Sequence, residues 1–322
     1  MARRGGAAGA RILAFGAYQP ANVVTNDDLA ARVDTSDEWI RTRVGIASRR
    51  FAGPDETVTD MATAAGGKAL AASGLSPDEV DLVIVATCTP EASIPNVSAS
   101  VAYRLGISAP GAYDLNAACA GFCYALSNAS DAVRVGSARN VLVIGAEKLS
   151  QWVDPMDRST CIIFADGAGA AVVGQVTDPQ QPAGIGPVVW GSEGSMAETI
   201  AIADRNSFIQ QEGQAVFRWA TTALHPIARA ACEQAGVAPE DLAAFVPHQA
   251  NLRIMESIAR KLGVPRERLA DDIINSGNTS SASIPMAISR MIERHQVTSG
   301  DRVLFLGFGG GLCYAAQVVT VP

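Results

Sequence analysis

The chain has 322 residues, enough for about two domains at ~150 residues each. Hydrophobic residues make up 48% and charged residues 18%, which gives a large core and excludes a disordered chain. Lys+Arg 25 against Asp+Glu 32 leaves a net charge of −7, the wrong sign for a nucleic-acid binder, and 6 cysteines are too sparse for a disulfide scaffold.

No apolar run approaches the ~18 residues that span a membrane. Residues 1–16 are rich in small side chains and interrupted by Arg3, Arg4 and Arg11. They read as a loose N-terminal arm, not a secretory signal. With no export signal and scattered cysteines, a cytoplasmic protein with no membrane partner is expected.

Helical periodicity appears first over 57–73, and the apolar run 82–86 then reads as a buried strand. Helices follow at 95–105 and 121–135, then short apolar strands at 141–145, 162–165 and 170–174. The second part gives helices at 219–235, 252–262 and 284–295, an apolar run at 243–246 and a strand at 303–307. This alternation predicts an α/β fold with covered sheets.

The chain also repeats itself. Gly74-Leu-Ser-Pro-Asp-Glu-Val80 matches Gly236-Val-Ala-Pro-Glu-Asp-Leu242, 162 positions later (74 against 236). Arg104-Leu-Gly106 parallels Lys261-Leu-Gly263, Leu115–Cys119 parallels Ile274–Asn278, and Val141–Gly145 parallels Val303–Gly307. The expectation is a duplicated unit, one copy in 1–180 and one in 181–322. If the halves pack with pseudo-two-fold symmetry, Cys119 and Asn278 take equivalent places and face one cleft.

Cys119 stands among small residues where a helix begins, and a helix N-terminus stabilises a thiolate. A buried, inert cysteine is the commoner fate of the residue type. Cys123, one helical turn on, reads as packing. His248 follows the 243–246 run in the polar junction Pro247-His-Gln-Ala-Asn251, where a hydrogen-bonded structural histidine is the alternative. Asn278 alone reads as a turn or cap residue. Gly307-Phe-Gly-Gly-Gly311 either exposes backbone N–H groups to a ligand or permits a tight crossing. No zinc spacing, P-loop or dinucleotide fingerprint is present. Arg253, Arg260, Lys261, Arg266 and Arg268, with Arg218, form a basic stretch that suits an acidic partner or a phosphate.

Together, Asn116-Ala-Ala-Cys-Ala-Gly-Phe122, Pro247-His-Gln-Ala-Asn-Leu-Arg253 and Gly277-Asn-Thr-Ser-Ser-Ala-Ser283 resemble the active-site motifs of the β-ketoacyl-acyl-carrier-protein synthase III family. This is a family of condensing enzymes in the thiolase superfamily. The resemblance runs from Ile12 to the C-terminus and includes Thr35–Ile40, Thr42–Ile46, Asp154–Arg158 and Phe164–Ala170. It implies a thiolase-like five-layered αβαβα fold of two duplicated halves, and a homodimer. It implies that Cys119 takes an acyl group from acyl-CoA, and that malonyl-acyl-carrier-protein then condenses with loss of CO₂. His248 and Asn278 would donate to the thioester oxygen during decarboxylation, and the backbone N–H groups of Cys119 and Gly310 would form an oxyanion hole.

The resemblance further implies Trp39 and Arg158 around the CoA adenine, Arg43 at its phosphates and Asn251 at its pantetheine arm. Arg218, Arg253, Arg260 and Lys261 would dock the acyl carrier protein, and Ile94 would line the acyl pocket. Acetyl-specific members tend to carry Phe where Ile94 stands, which leaves the primer open to longer or branched chains. No metal, flavin or nicotinamide is implied. Hydroxymethylglutaryl-CoA synthase activity is discounted, because Cys88 stands at the place of its catalytic Glu and Glu91 is displaced by three residues. The alternative is a relative that primes a polyketide or passes the acyl group to another nucleophile.

Overall fold

The computed structural model describes residues 7–178, 183–204 and 206–322. Its first sheet contains β1 (Gly9–Tyr18), β2 (Leu82–Ala86), β3 (Gly111–Leu115), β4 (Asn140–Lys148) and β5 (Asp166–Val176). Its second contains β6 (Val189–Ser192), β7 (Ala244–Pro247), β8 (Arg302–Gly309) and β9 (Cys313–Thr320). The helices that position the site are α1 (Asp37–Val44), α2 (Val58–Ser73), α3 (Val97–Arg104), α4 (Gly121–Arg134), α5 (Gly213–Gln234), α6 (Leu252–Leu262) and α7 (Ser283–Glu293).

The two sheets share one plan. The first runs β1-β5-β4-β2-β3, and the second runs β6-β9-β8-β7. In each, the first two junctions are antiparallel and the next is parallel. Val141 pairs with Leu82 as Val303 pairs with Ala244, so the registers also correspond. The counterpart of β3 has shrunk to a single parallel bridge, Phe245 to Leu269.

Helices α2 and α3 cover the outer face of the first sheet, α4 and α7 lie between the sheets, and α5 and α6 cover the second. This is the five-layered α/β thiolase fold. Strands β4 and β8 are buried along almost their whole length, as strands with both faces covered must be. Glycine makes the closest crossing: a Cβ on Gly145 of β4 would collide with the Ser281 carbonyl.

Three expectations change. Residues 9–18 are not a loose arm but the edge strand β1, hydrogen-bonded to β5. Ala10, Ile12 and Ala14 face inward while Arg11 faces out, the alternation of a strand and not an interruption. Residues 162–165 are turn and bridge, not strand; only Phe164 pairs, and it pairs with Asn278. Helix α5 begins at Gly213, six residues before the predicted start, and extends its buried face to Val216. The predicted division between 180 and 181 lies outside the described residues. Among the described residues, no helix is long and apolar enough to cross a membrane.

Gly145→Ala should lower unfolding free energy by about 2 kcal/mol or more in urea titration, because backbone must move to admit the methyl. An unchanged midpoint would show that the crossing is looser than described.

Candidate active site

A cavity of about 1080 Å³ opens where the carboxyl ends of β2, β7 and β8 converge, and Cys119, His248, Asn278, Ser280, Phe308, Gly309 and Gly310 all line it. The three residues singled out in separate motifs therefore meet in one place.

Cys119 sits on the turn Ala118–Ala120 just before α4. Ala118 holds the unusual φ of 45°, with its N–H bonded to Asn116 Oδ1 at 3.1 Å. Across from it, a Cβ on Gly309 would lie 2.6 Å from Cys119 Cβ and 2.8 Å from its Sγ. The glycine run thus permits the tight crossing and brings the Gly310 N–H towards the sulfur. Burial pushes the Cys119 thiol up to about 11, while Ser280 and the N–H groups of Gly310 and Cys119 favour its thiolate.

His248 is 1% exposed and follows the end of β7, with its N–H donated to Leu306 O at 2.8 Å. Burial pushes its pKa down to about 3, so the ring is neutral across the physiological range. Its Nδ1 lies 2.7 Å from Ser283 Oγ, and that oxygen also accepts the Gln249 N–H at 3.2 Å. The Ser283 hydroxyl can donate to Nδ1, the arrangement that keeps the imidazole proton on Nε2. The ring stands edge-on to Phe308 with centroids 5.3 Å apart.

Asn278 is clamped by its backbone. Its N–H donates to Ile163 O and its carbonyl accepts from Ala165 N–H, both at 2.9 Å. Its side-chain Oδ1 accepts the Ser280 N–H at 2.8 Å, so the amide N–H₂ is the end left to donate elsewhere. The turn role and the cavity role belong to the same residue. Cys123 is buried in packing, with its thiol pushed up to about 12.

Trp39 and Arg43 line the outer cavity. The Arg158 guanidinium lies 4.9 Å from the Trp39 ring centroid and also donates to Asp34 O at 2.7 Å. A purine between the two planes requires Arg158 to lift to about twice a stacking separation. Asn251 caps α6 through Arg253 N–H (3.0 Å) and donates to Arg43 O at 3.2 Å, which ties α1 to α6 at the cavity wall.

Arg218 and Arg253 line the cavity, and the Arg253 guanidinium lies 5.4 Å from the Phe217 ring centroid. Arg260 lies on the Arg253 side of α6 two turns away, about 10 Å along the axis. Lys261 is turned from this group and donates to the Thr221 carbonyl.

Ile94 is 87% exposed and, within one chain, is not among the residues that line the cavity. Glu91, three residues earlier, accepts the Thr59 N–H at 2.8 Å at the start of α2. Within the chain, Leu149, Trp152, Phe164, Ile200, Ile202 and Ile209 form an apolar wall of the cavity. Sequence reasoning also missed Ser280, Ser283 and Glu147. Their signal was a hydroxyl-rich run at 279–283 and a carboxylate at the end of a strand that is otherwise apolar.

Burial of neutral His248 makes acid destabilising. Its folded pKa lies below the unfolded value of about 6.5, so the unfolded state binds the proton first and stability falls as pH drops from about 6.5 towards 3. Against His248→Gln, the wild type should lose up to about 1.4 kcal/mol more per pH unit over that window. Parallel stability curves for the two proteins would contradict a neutral buried ring.

Family profiles described as 3-oxoacyl-[acyl-carrier-protein (ACP)] synthase III match residues 113–194, and their C-terminal counterpart matches residues 232–321. A β-ketoacyl-[acyl-carrier-protein] synthase III of Streptomyces avermitilis is 55% identical over 98% of this chain and 99% of its own. The mycobacterial synthase III of Mycobacterium avium is 46% identical over 97% and 95%. Among solved structures, the priming β-ketosynthase of the R1128 polyketide biosynthetic pathway superposes with TM-score 0.94 at 42% identity, covering 100% of this chain and 98% of its own. The 3-oxoacyl-[acyl-carrier-protein] synthase III of Aquifex aeolicus gives 0.92 at 43%, covering 97% and 100%. With two profiles in order and such identity over nearly its whole length, the chain belongs to the 3-oxoacyl-[acyl-carrier-protein] synthase III family of condensing enzymes.

Proposed function

We propose that the protein loads an acyl group from acyl-CoA onto Cys119 and condenses it with malonyl-acyl-carrier-protein, releasing CO₂ and starting a fatty acid chain. The observation that carries this reading is the convergence of Cys119, neutral His248 and Asn278 on one cavity, against the glycine run of β8.

The Cys119 thiolate adds to the acyl-CoA carbonyl, the bond to the CoA sulfur breaks, and the CoA thiolate takes a proton. The backbone N–H groups of Cys119 and Gly310 hold the oxyanion of this step. The malonyl thioester then loses CO₂, and negative charge grows on its thioester oxygen. His248 Nε2–H and the Asn278 amide are neutral donors for that oxygen, and neutral donors bring no proton that quenches the enolate. The enolate carbon attacks the acyl-Cys119 carbonyl, the C–S bond breaks, and the β-ketoacyl carrier departs. The chemistry assigned here uses no metal, flavin or nicotinamide.

Trp39, Arg43 and Asn251 are assigned to CoA on their position along the cavity, and Arg158 on its packing over the Trp39 ring. Arg218 and Arg253, with Arg260 beyond them, are assigned to the acidic carrier protein. Lys261 contributes charge at a distance. A cytoplasmic homodimer with the halves divided near residue 180 completes the reading, and exposed Ile94 and Tyr103 support a second copy as cover.

Asn278→Ala should slow malonyl decarboxylation at least about tenfold while self-acylation by acyl-CoA changes by less than about threefold. Equal losses in both steps would remove its assigned role. Arg253→Glu should raise the carrier-protein Kd by about tenfold or more at low salt and leave the acyl-CoA Kd within about twofold. Unchanged carrier affinity would remove the patch.

A further inference from the structure

A buried carboxylate ties the two halves together beside the site and has no part in the steps above. Glu147, near the end of β4, is 0% exposed. Its Oε2 accepts from the first half: Thr89 Oγ1 at 2.7 Å, the Cys88 N–H at 3.1 Å and Thr87 Oγ1 at 3.2 Å. Both threonines are themselves held by backbone. Thr87 Oγ1 accepts the Thr89 N–H at 3.1 Å, and Thr89 Oγ1 accepts the Lys148 N–H at 2.9 Å. Glu147 Oε1 accepts from the second half: Ser281 Oγ at 3.0 Å and Ser280 Oγ at 3.1 Å. Ser281 Oγ also lies 2.8 Å from Ala86 O and shares its one proton between the two acceptors.

Ser280 carries this tie to the site. Its φ of 49° lies in the left-handed region, which strains a residue with a Cβ, so bonds must hold it there. Its hydroxyl is held by Glu147, and its N–H donates to Asn278 Oδ1 at 2.8 Å. The bonds of Asn278 to Ile163 and Ala165 fix its backbone but leave its side-chain torsions free. The Ser280 N–H therefore decides where the amide N–H₂ points. Without an acceptor for its hydroxyl, Ser280 can relax out of the left-handed region and turn its N–H away from Oδ1.

We propose that Glu147 is a positioning residue for decarboxylation: anchored in the half that carries Cys119, it holds Ser280 in its strained turn and so aims the Asn278 amide. Ser280 and Asn278 line the cavity, whereas Glu147 is not among the lining residues and acts through them.

This role rests on the decarboxylation assigned to Asn278, and the test separates the two. CO₂ release from malonyl-acyl-carrier-protein and self-acylation by acyl-CoA are measured in wild type, Glu147→Ala, Glu147→Gln, Asn278→Ala and the double variant Glu147→Ala/Asn278→Ala. Glu147→Ala should slow CO₂ release about tenfold or more and self-acylation by less than about threefold. In the Asn278→Ala background the same substitution should change CO₂ release by less than about twofold, because no amide remains to aim. Glu147→Gln should stay within about threefold of wild type: its carbonyl keeps the Cys88 N–H, and its N–H₂ donates to the serine oxygens with the spacing unchanged. Equal losses in both steps, or a full further loss in the double variant, would reduce Glu147 to a general structural tie and overturn the proposal. Faster CO₂ release in Glu147→Ala would overturn it too, since that is the sign expected if only a buried negative charge were removed near the growing enolate. So would a loss in Glu147→Gln as large as in Glu147→Ala. If Asn278→Ala itself leaves CO₂ release unchanged, the reading of the site fails and the proposal with it. If Glu147→Ala does not fold, Ser280→Ala cuts the same tie, keeps the first-half donors of Glu147, and should show the same split and the same lack of further effect with Asn278→Ala.

Discussion

The site depends on how closely the end of β8 lies against the turn that carries Cys119. A side chain at position 309 would occupy the space of the Cys119 Cβ and Sγ, so only glycine lets the second half close onto the nucleophile of the first. The contact has two consequences. It buries the thiol and it delivers the Gly310 N–H to the sulfur, so the group that makes the thiolate costly also supplies a donor that offsets part of the cost. The same approach leaves the cavity at the meeting point of three strand ends, with His248 and Asn278 on its second-half side. Duplication thus provides two frameworks, and the glycine run sets the distance between them.

Electrostatics in that cavity follow from burial more than from charge. His248 is neutral because the fold excludes water from it, and the Ser283 hydroxyl stands against its Nδ1. Glu147 is held by neutral hydroxyls and an amide from both halves, and through Ser280 it touches the segment that orients Asn278. The basic residues stay at the rim, where Arg253 packs on Phe217. The division suits a site that stabilises transient oxyanions inside and meets acidic or phosphate-bearing partners outside.

Much of this was legible in the chain. The repeat announced two related units because the same strand-to-helix junctions recur in order. Cys119, His248 and Asn278 stood at such junctions, where sequence-distant loops collect. What stayed hidden depended on three-dimensional context. Residues 162–165 are apolar enough to read as a strand, yet their backbone serves Asn278, and apolarity does not say which partner a backbone finds. Arg11 interrupts an apolar stretch in one dimension but faces outward on an alternating strand. Ile94 was placed at the acyl pocket by resemblance alone, and within one chain it stands exposed on a loop that Glu91 ties to the start of α2. Glu147 gave only a weak signal, because a carboxylate at a strand end is ordinarily solvated and its donors come from segments up to 134 residues away.

The central claim is that one cavity performs acyl transfer and decarboxylative condensation in sequence on Cys119. A single-turnover experiment on the wild-type protein tests it most directly. The protein is acylated with an acyl-CoA, its mass and modified peptide are read, and malonyl-acyl-carrier-protein is then added while acyl loss and CO₂ are followed together. An acyl group should appear on Cys119 and disappear with one CO₂ released per acyl group. Acylation elsewhere, or loss of the acyl group without CO₂, would contradict it.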